Sequence, residues 1–200
     1  MYENHTMLSV AEVKILEVFL DTNRHYFGEL VKVTKLTRPR TLRVLRKLVK
    51  QDVLEVKAEA NVKYYSLRKL SSVYSLLSLV EYNRALLFLE KHKTLKRALE
   101  MLREKYGEHL VMLVFGSMVK GYAVKTSDVD VLILKDAFSS DEIKRVEDIV
   151  GLINGRTGLK ISSYLMKMKE FKQGNELAKE IIKKHIIIDG GELFFRMVLK

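Results

Sequence analysis

Gly116-Ser117, a gap of ten residues and then Asp128-Val129-Asp130 is the arrangement in this chain best suited to chemistry. An apolar run from Leu110 to Phe115 leads into the Gly-Ser pair, and a second, Val131 to Leu134, follows the aspartates. Residues two apart on a strand share a face, so both carboxylates are expected to project to one side of a sheet. Small residues closing the first strand leave backbone N–H groups free to meet phosphate. Paired carboxylates beside such a cradle suit Mg²⁺-assisted attack on a nucleoside triphosphate.

Composition limits the setting of this site. Two hundred residues allow one large or two small domains, and 48% hydrophobic content is enough for ordinary cores. No stretch of about 20 uninterrupted apolar residues is present, so no membrane span is expected. The N-terminus lacks the basic-then-apolar pattern of a signal peptide. With no Cys there is no disulfide and no thiolate metal site, and a soluble cytoplasmic protein is expected. The net charge of +11 favours a polyanionic partner. Its distribution is sharper: from Leu30 to Gln51 there are eight basic residues and no acid.

That basic stretch sits on a readable pattern. Ser9 and Glu12 form a capping box for a helix of about a dozen residues, with Val10, Val13, Leu16 and Leu20 on one face. A short helix over Gly28 to Lys35 follows. Thr37 then stands as an N-cap with Pro39 in the first turn, opening a helix to about Lys50. At about 100° per residue, Leu42, Val44, Leu45, Leu48 and Val49 share one arc. Arg40, Arg43, Lys47 and Lys50 share the other, with Arg46 at its edge and Arg38 at the helix start. Val53 to Lys57 and Val62 to Leu67 read as a hairpin joined by Ala-Glu-Ala-Asn.

Residues 69–92 form a broadly apolar connector helix, covered on more than one side. It clamps the two halves together or pairs with its copy in a homodimer. A second amphipathic helix carries Leu95, Ala98, Leu99, Leu102 and Tyr106. After the aspartates, Ser139 and Glu142 cap a helix whose buried side is Ile143, Val146, Val150 and Ile153. Leu159 to Met166 reads as a third strand. The tail, with its Ile186 to Ile188 run before Gly190-Gly191, is expected to fold back on this part. The fold class is α/β (α+β), with a small mixed C-terminal sheet covered by helices.

Three helices and a hairpin over residues 6–68 resemble the winged helix-turn-helix of archaeal and bacterial transcription regulators. That resemblance implies double-stranded DNA as partner, the third helix in the major groove and the wing near the backbone. Arg38, Arg40, Arg43, Arg46, Lys47 and Lys50 would supply mostly phosphate contacts. The Gly-Ser, ten residues, Asp-x-Asp order resembles the signature of DNA polymerase β-like nucleotidyltransferases, especially their minimal one-domain members, over residues 95–166. It implies that Ser117 touches the triphosphate and that Asp128 and Asp130 are catalytic residues holding Mg²⁺ or Mn²⁺, with an NTP as substrate or ligand. Gly116, Lys120 and Ser127 join Ser117 as nucleotide-binding candidates. Gly121, Ala123 and Ser127 match the fuller pattern, whereas Val119 and Lys120 stand where Ala and Arg are usual.

The same resemblance implies a third aspartate on the third strand, and here that strand has no acid. Alternation puts Lys160, Ser162, Tyr164 and Met166 on one face, so the expected carboxylate position is Ser162. The chain accordingly divides into a winged domain (1–68), a connector helix (69–92) and a nucleotidyltransferase-like domain (93–200). Two functions follow. One is a DNA-binding nucleotidyltransferase that moves a nucleoside monophosphate from an NTP to a hydroxyl acceptor. The other is a transcription regulator whose nucleotidyltransferase-like domain binds nucleotide without turnover.

Overall fold

The computed structural model of the protein describes residues 8–106, 110–120 and 128–199. The first helix, α1 (Val10–Val18), starts where the capping box places it: Ser9 Oγ accepts from the Glu12 N–H at 3.3 Å, and the Ser9 N–H donates to Glu12 Oε2 at 3.0 Å. It is nine residues long, shorter than the periodicity predicts, because Phe19–Asp21 tightens into a 3₁₀ turn. Its buried side also differs from the predicted stripe. Val10 is 70% exposed, and Ala11, Ile15, Leu16 and Phe19 face the core. The Glu12 side chain is buried on the same side as Ile15 and Leu16, and Val10 lies on the opposite face.

After β1 (His25–Tyr26) come α2 (Phe27–Thr34), α3 (Arg38–Lys50), β2 (Leu54–Glu59) and β3 (Val62–Leu67). The three strands form an antiparallel sheet in the order β1-β3-β2. The hairpin is tighter than its sequence suggests: Ala58 and Glu59 still pair with Lys63 and Val62, leaving Ala60 and Asn61 as the turn.

The connector is one helix, α4 (Ser71–Lys91), followed by α5 (Lys93–Tyr106), β4 (Val111–Phe115), α6 (Ser117–Lys120), β5 (Val129–Lys135) and α7 (Ser140–Thr157). Then come β6 (Ile161–Lys167), α8 (Met168–Lys172), α9 (Glu176–Lys183), β7 (Ile186–Asp189) and α10 (Gly191–Val198). The second sheet runs β6-β5-β4-β7, with only β5 and β6 parallel, so the mixed sheet is present. The Ile-rich tail does more than fold back: it supplies the edge strand β7. On α7 the capping box of Ser139 and Glu142 holds, and Val146, Val150 and Ile153 are buried. Ile143 is exposed instead, because the stripe that reaches the core begins one turn later.

The sheet separates two cores. Met112, Val114, Val131 and Ile133 pack under α5 and α7, through residues such as Leu99 and Val150. On the opposite face Leu113, Leu132 and Leu134 join Phe194 and Phe195 of α10 and Leu77 and Val80 of α4, and this core continues to Leu16 of α1 and Leu45 of α3. The connector acts as a clamp through more than apolar contact. Buried Glu81 accepts from the Ile187 N–H at 2.9 Å, Arg84 meets Glu81 at 2.7 Å, and Arg84 Nη2 donates to the His185 carbonyl at 2.8 Å. These bonds satisfy polar groups that burial would otherwise penalise. Leu79, Tyr82, Leu86 and Leu87 lie on the outer side of α4, exposed. Among the described residues, no helix is long and apolar enough to cross a membrane.

Candidate functional site

The site at the aspartates is built by a close approach of two strand ends. Gly116 follows β4 with φ of +76°, a conformation that costs a residue with a Cβ. A Cβ at this position would lie 2.1 Å from Asp130 Oδ2, so the bare glycine is what lets the Asp130 carboxylate rest against the start of α6. Asp130 pairs with Phe115 across β4 and with Ser162 across β6. Phe115, Leu132 and Leu134 share the core away from α5 and α7, so Asp130 projects on that face. Asp128, two residues earlier, is exposed just ahead of the strand.

Burial raises the Asp130 pKa, the charge of Asp128 raises it further, and the Tyr164 hydroxyl pulls it back down. A carboxylate pushed up by its neighbour gains most from a cation shared between the two. The donor set fits a hard divalent ion through two carboxylates and stops there. Ser162 stands in register with Asp130 and contributes a neutral hydroxyl. Neither other acid replaces it: Asp148 lies on α7, which covers the opposite face, and Glu170 lies on α8 beyond the far end of β6. Among the described residues, no group of three or more His, Cys, Asp or Glu side chains is placed to hold a metal.

Tyr164 was not singled out from sequence. Its ring meets the edge of Phe115 at 5.3 Å between centroids, which carries its hydroxyl toward Asp130. Period-two alternation already puts it on the Ser162 face, but only the strand register shows that Asp130 is its neighbour. Ser117 opens α6 directly after Gly116. Lys120 closes that turn, and its side chain lies outside the described residues, as do Gly121, Ala123, Lys125 and Ser127.

The second candidate surface is α3. Thr41, Val44, Leu45 and Leu48 are buried, and Arg38, Arg40, Arg43, Arg46, Lys47 and Lys50 are exposed. Thr37 occupies the N-cap without a side-chain cap bond. Arg38 lies over the Phe27 ring at 5.2 Å. Lys47 differs from the other five: its Nζ meets Glu12 Oε1 at 2.7 Å, and the Glu12 side chain is only 4% exposed. The basic arc therefore has one balancing acid, contributed by α1, which sequence spacing within α3 could not show. On β3, Tyr65 is buried and Tyr64 is held by Tyr26 at 6.3 Å and by Arg24 over its ring at 4.4 Å.

The ion pair makes a stability claim. Burial raises the Glu12 pKa, but the bonds from Lys47 and Ser9 outweigh it and leave the group below its ordinary 4.5. Its contribution is present above about pH 4.5 and is lost as the pH falls through the depressed value. Lys47→Met is expected to cost about 1–3 kcal/mol at neutral pH by leaving the carboxylate buried and under-paired. Melting curves check this, and the difference between variant and wild type should shrink in acid.

Comparison with known proteins bears on the C-terminal part. Residues 95–189 match the family model described as nucleotidyltransferase domain, a span that runs from α5 through β7. No curated protein matches the chain. Among solved structures, TrmBL2, an archaeal chromatin protein whose structure shows a novel mode of DNA binding, is similar at 20% identity, covering 86% of this chain and 72% of that one, with a TM-score of 0.31. The family match takes in Gly116, Asp130 and the strand partner Ser162. Residues 95–189 of this α+β chain are thus similar to a nucleotidyltransferase domain.

Proposed function

We propose that this chain is a DNA-binding nucleotidyltransferase that transfers a nucleoside monophosphate from an NTP to a hydroxyl acceptor, at a low rate. The observation that carries the reading is the 2.1 Å approach between Asp130 Oδ2 and the place where Gly116 has no Cβ. A turn shaped around a carboxylate is hard to explain as strand packing alone. Asp128 and Asp130 would hold Mg²⁺ or Mn²⁺, with Ser117 and the Gly116–Ser117 backbone toward the triphosphate. The ion, when bound, would neutralise phosphate charge and polarise the reacting phosphorus. The winged domain would hold the chain on duplex DNA through Arg38, Arg40, Arg43, Arg46 and Lys50.

Low turnover follows from β6. A hydroxyl at Ser162 is a poor base at neutral pH, and a missing general base typically costs about 10²–10⁴ in rate. That observation also favours a second reading, in which the domain binds nucleotide as a sensor and does not turn it over.

Labelled NTP with Mg²⁺ and candidate acceptors distinguishes the two. Slow pyrophosphate release that Asp128→Asn with Asp130→Asn abolishes is expected for the enzyme. Nucleotide binding with no release by wild type would select the sensor. Ser162→Asp is expected to raise the rate by about 10² or more, because it places a third carboxylate beside Asp130. An unchanged rate would mean that position 162 does not face the reacting atoms.

A further inference from the structure

Between α3 and the wing lies an open cleft of about 590 Å³ that no step of the proposed reaction uses. Small-molecule sites typically span about 300–1,000 Å³, mostly apolar with a few placed polar groups, and this cleft has that character. Leu42 and Val49 of α3 form one wall, and Val56 and Tyr65, paired across β2 and β3, form the other. Val56 is 42% exposed, an apolar side chain left open on the inner face of a wing. Three cations, Arg46, Lys50 and Lys63, stand around this apolar floor, and among the described residues no acid lines it. Arg46 and Tyr65 line the same cleft, one from α3 and the other from β3.

We propose that this cleft binds a small amphipathic anion, a carboxylate or sulfonate with an aliphatic or aromatic body, and that its occupation releases DNA. Charge complementarity selects the head group: an anion meets three cations and no acid, while a cationic amphiphile meets only repulsion. The apolar walls select the body, since each buried methylene contributes about 0.8 kcal/mol. Release of DNA rests on the reading of α3 as the DNA-facing helix. Arg46 and Lys50 belong to both surfaces, so neutralising them with a ligand removes phosphate contacts.

The test uses the full chain, first without DNA, with dodecanoate below its micelle concentration, dodecanol as the uncharged match and anilinonaphthalene sulfonate as a fluorescent probe. Dodecanoate is expected to bind and to displace the probe, and dodecanol to bind about tenfold more weakly or worse. Val56→Trp, which fills the cleft, and Val56→Glu, which adds a like charge, are each expected to weaken dodecanoate by about tenfold or more. Both changes fall at an exposed position, and far-ultraviolet circular dichroism verifies the fold. No binding, binding untouched by both Val56 variants, or equal binding of dodecanol would overturn the proposal. On a labelled duplex, dodecanoate is expected to release wild type and not Val56→Trp. Equal release of both would refute the coupling, and because the binding arm contains no DNA, failure of the DNA reading cannot be mistaken for failure of the cleft.

Discussion

Gly116→Ala is expected to fold and to lose most of its affinity for Mg²⁺-NTP, by about 10²-fold. At φ of +76° an alanine carries a modest backbone cost, about 1 kcal/mol, which a domain of this size withstands. The local consequence is larger, because the new methyl would stand 2.1 Å from Asp130 Oδ2 and 3.1 Å from its Cγ. One of the two must move. If the carboxylate moves, it leaves the face it shares with Asp128; if the turn moves, Ser117 leaves the phosphates. Either movement forfeits one or two bonds to charged groups, worth about 1.5–3 kcal/mol each, which is about 10²-fold in affinity. Titration calorimetry with Mg²⁺-ATP on the variant, beside a melting curve showing an intact fold, measures this. Wild-type affinity in Gly116→Ala would mean that the approach of Gly116 to Asp130 is a packing detail.

The second large effect belongs to α3. Arg40→Ala, Arg43→Ala and Arg46→Ala combined are expected to weaken duplex binding by about 10²–10³-fold at low salt. They should also reduce the slope of log affinity against log salt by about 3. Lys47 is left out because its ammonium already meets Glu12 at 2.7 Å. Changing it would mix a stability effect with a loss of phosphate contact. Fluorescence anisotropy over a salt series reads both quantities. Unchanged affinity in the triple variant would remove α3 from the interface.

Much of this arrangement is legible without coordinates, and the reasons are local. Ser9 with Glu12 and Ser139 with Glu142 mark helix starts because a capping box is a bond between residues three apart. The strands around the site are continuous apolar runs, and alternation is enough to put Ser162 on the same strand face as Tyr164. What escapes is what depends on register and on distant partners. The two-residue strand β1 is too short to show a period. The edge strand β7 belongs to the sheet only because Ile186 and Ile187 meet Val114 and Leu113. Tyr164 reaches Asp130 only once β6 is laid parallel to β5. Glu12 reads as a cap residue, yet its carboxylate both closes the box and neutralises Lys47 on another helix. The α4 helix is broad in its apolar arc, and the structure spends one side on α10 and β7 while Leu79, Tyr82 and Leu86 stay outside.

The central claim is that Asp128 and Asp130 form a metal-dependent nucleotide site, and a thermal shift tests it most directly. Wild type with saturating NTP and Mg²⁺ should melt about 5–10 °C higher than without them, the shift that ligand at about 100 times its dissociation constant gives a domain of this size. Asp128→Asn with Asp130→Asn should melt normally and show no shift, and Mg²⁺ withheld from wild type should have the same effect. A shift with NTP and Mg²⁺ that survives in the double variant, or no shift in wild type with any of the four NTPs, would contradict the account.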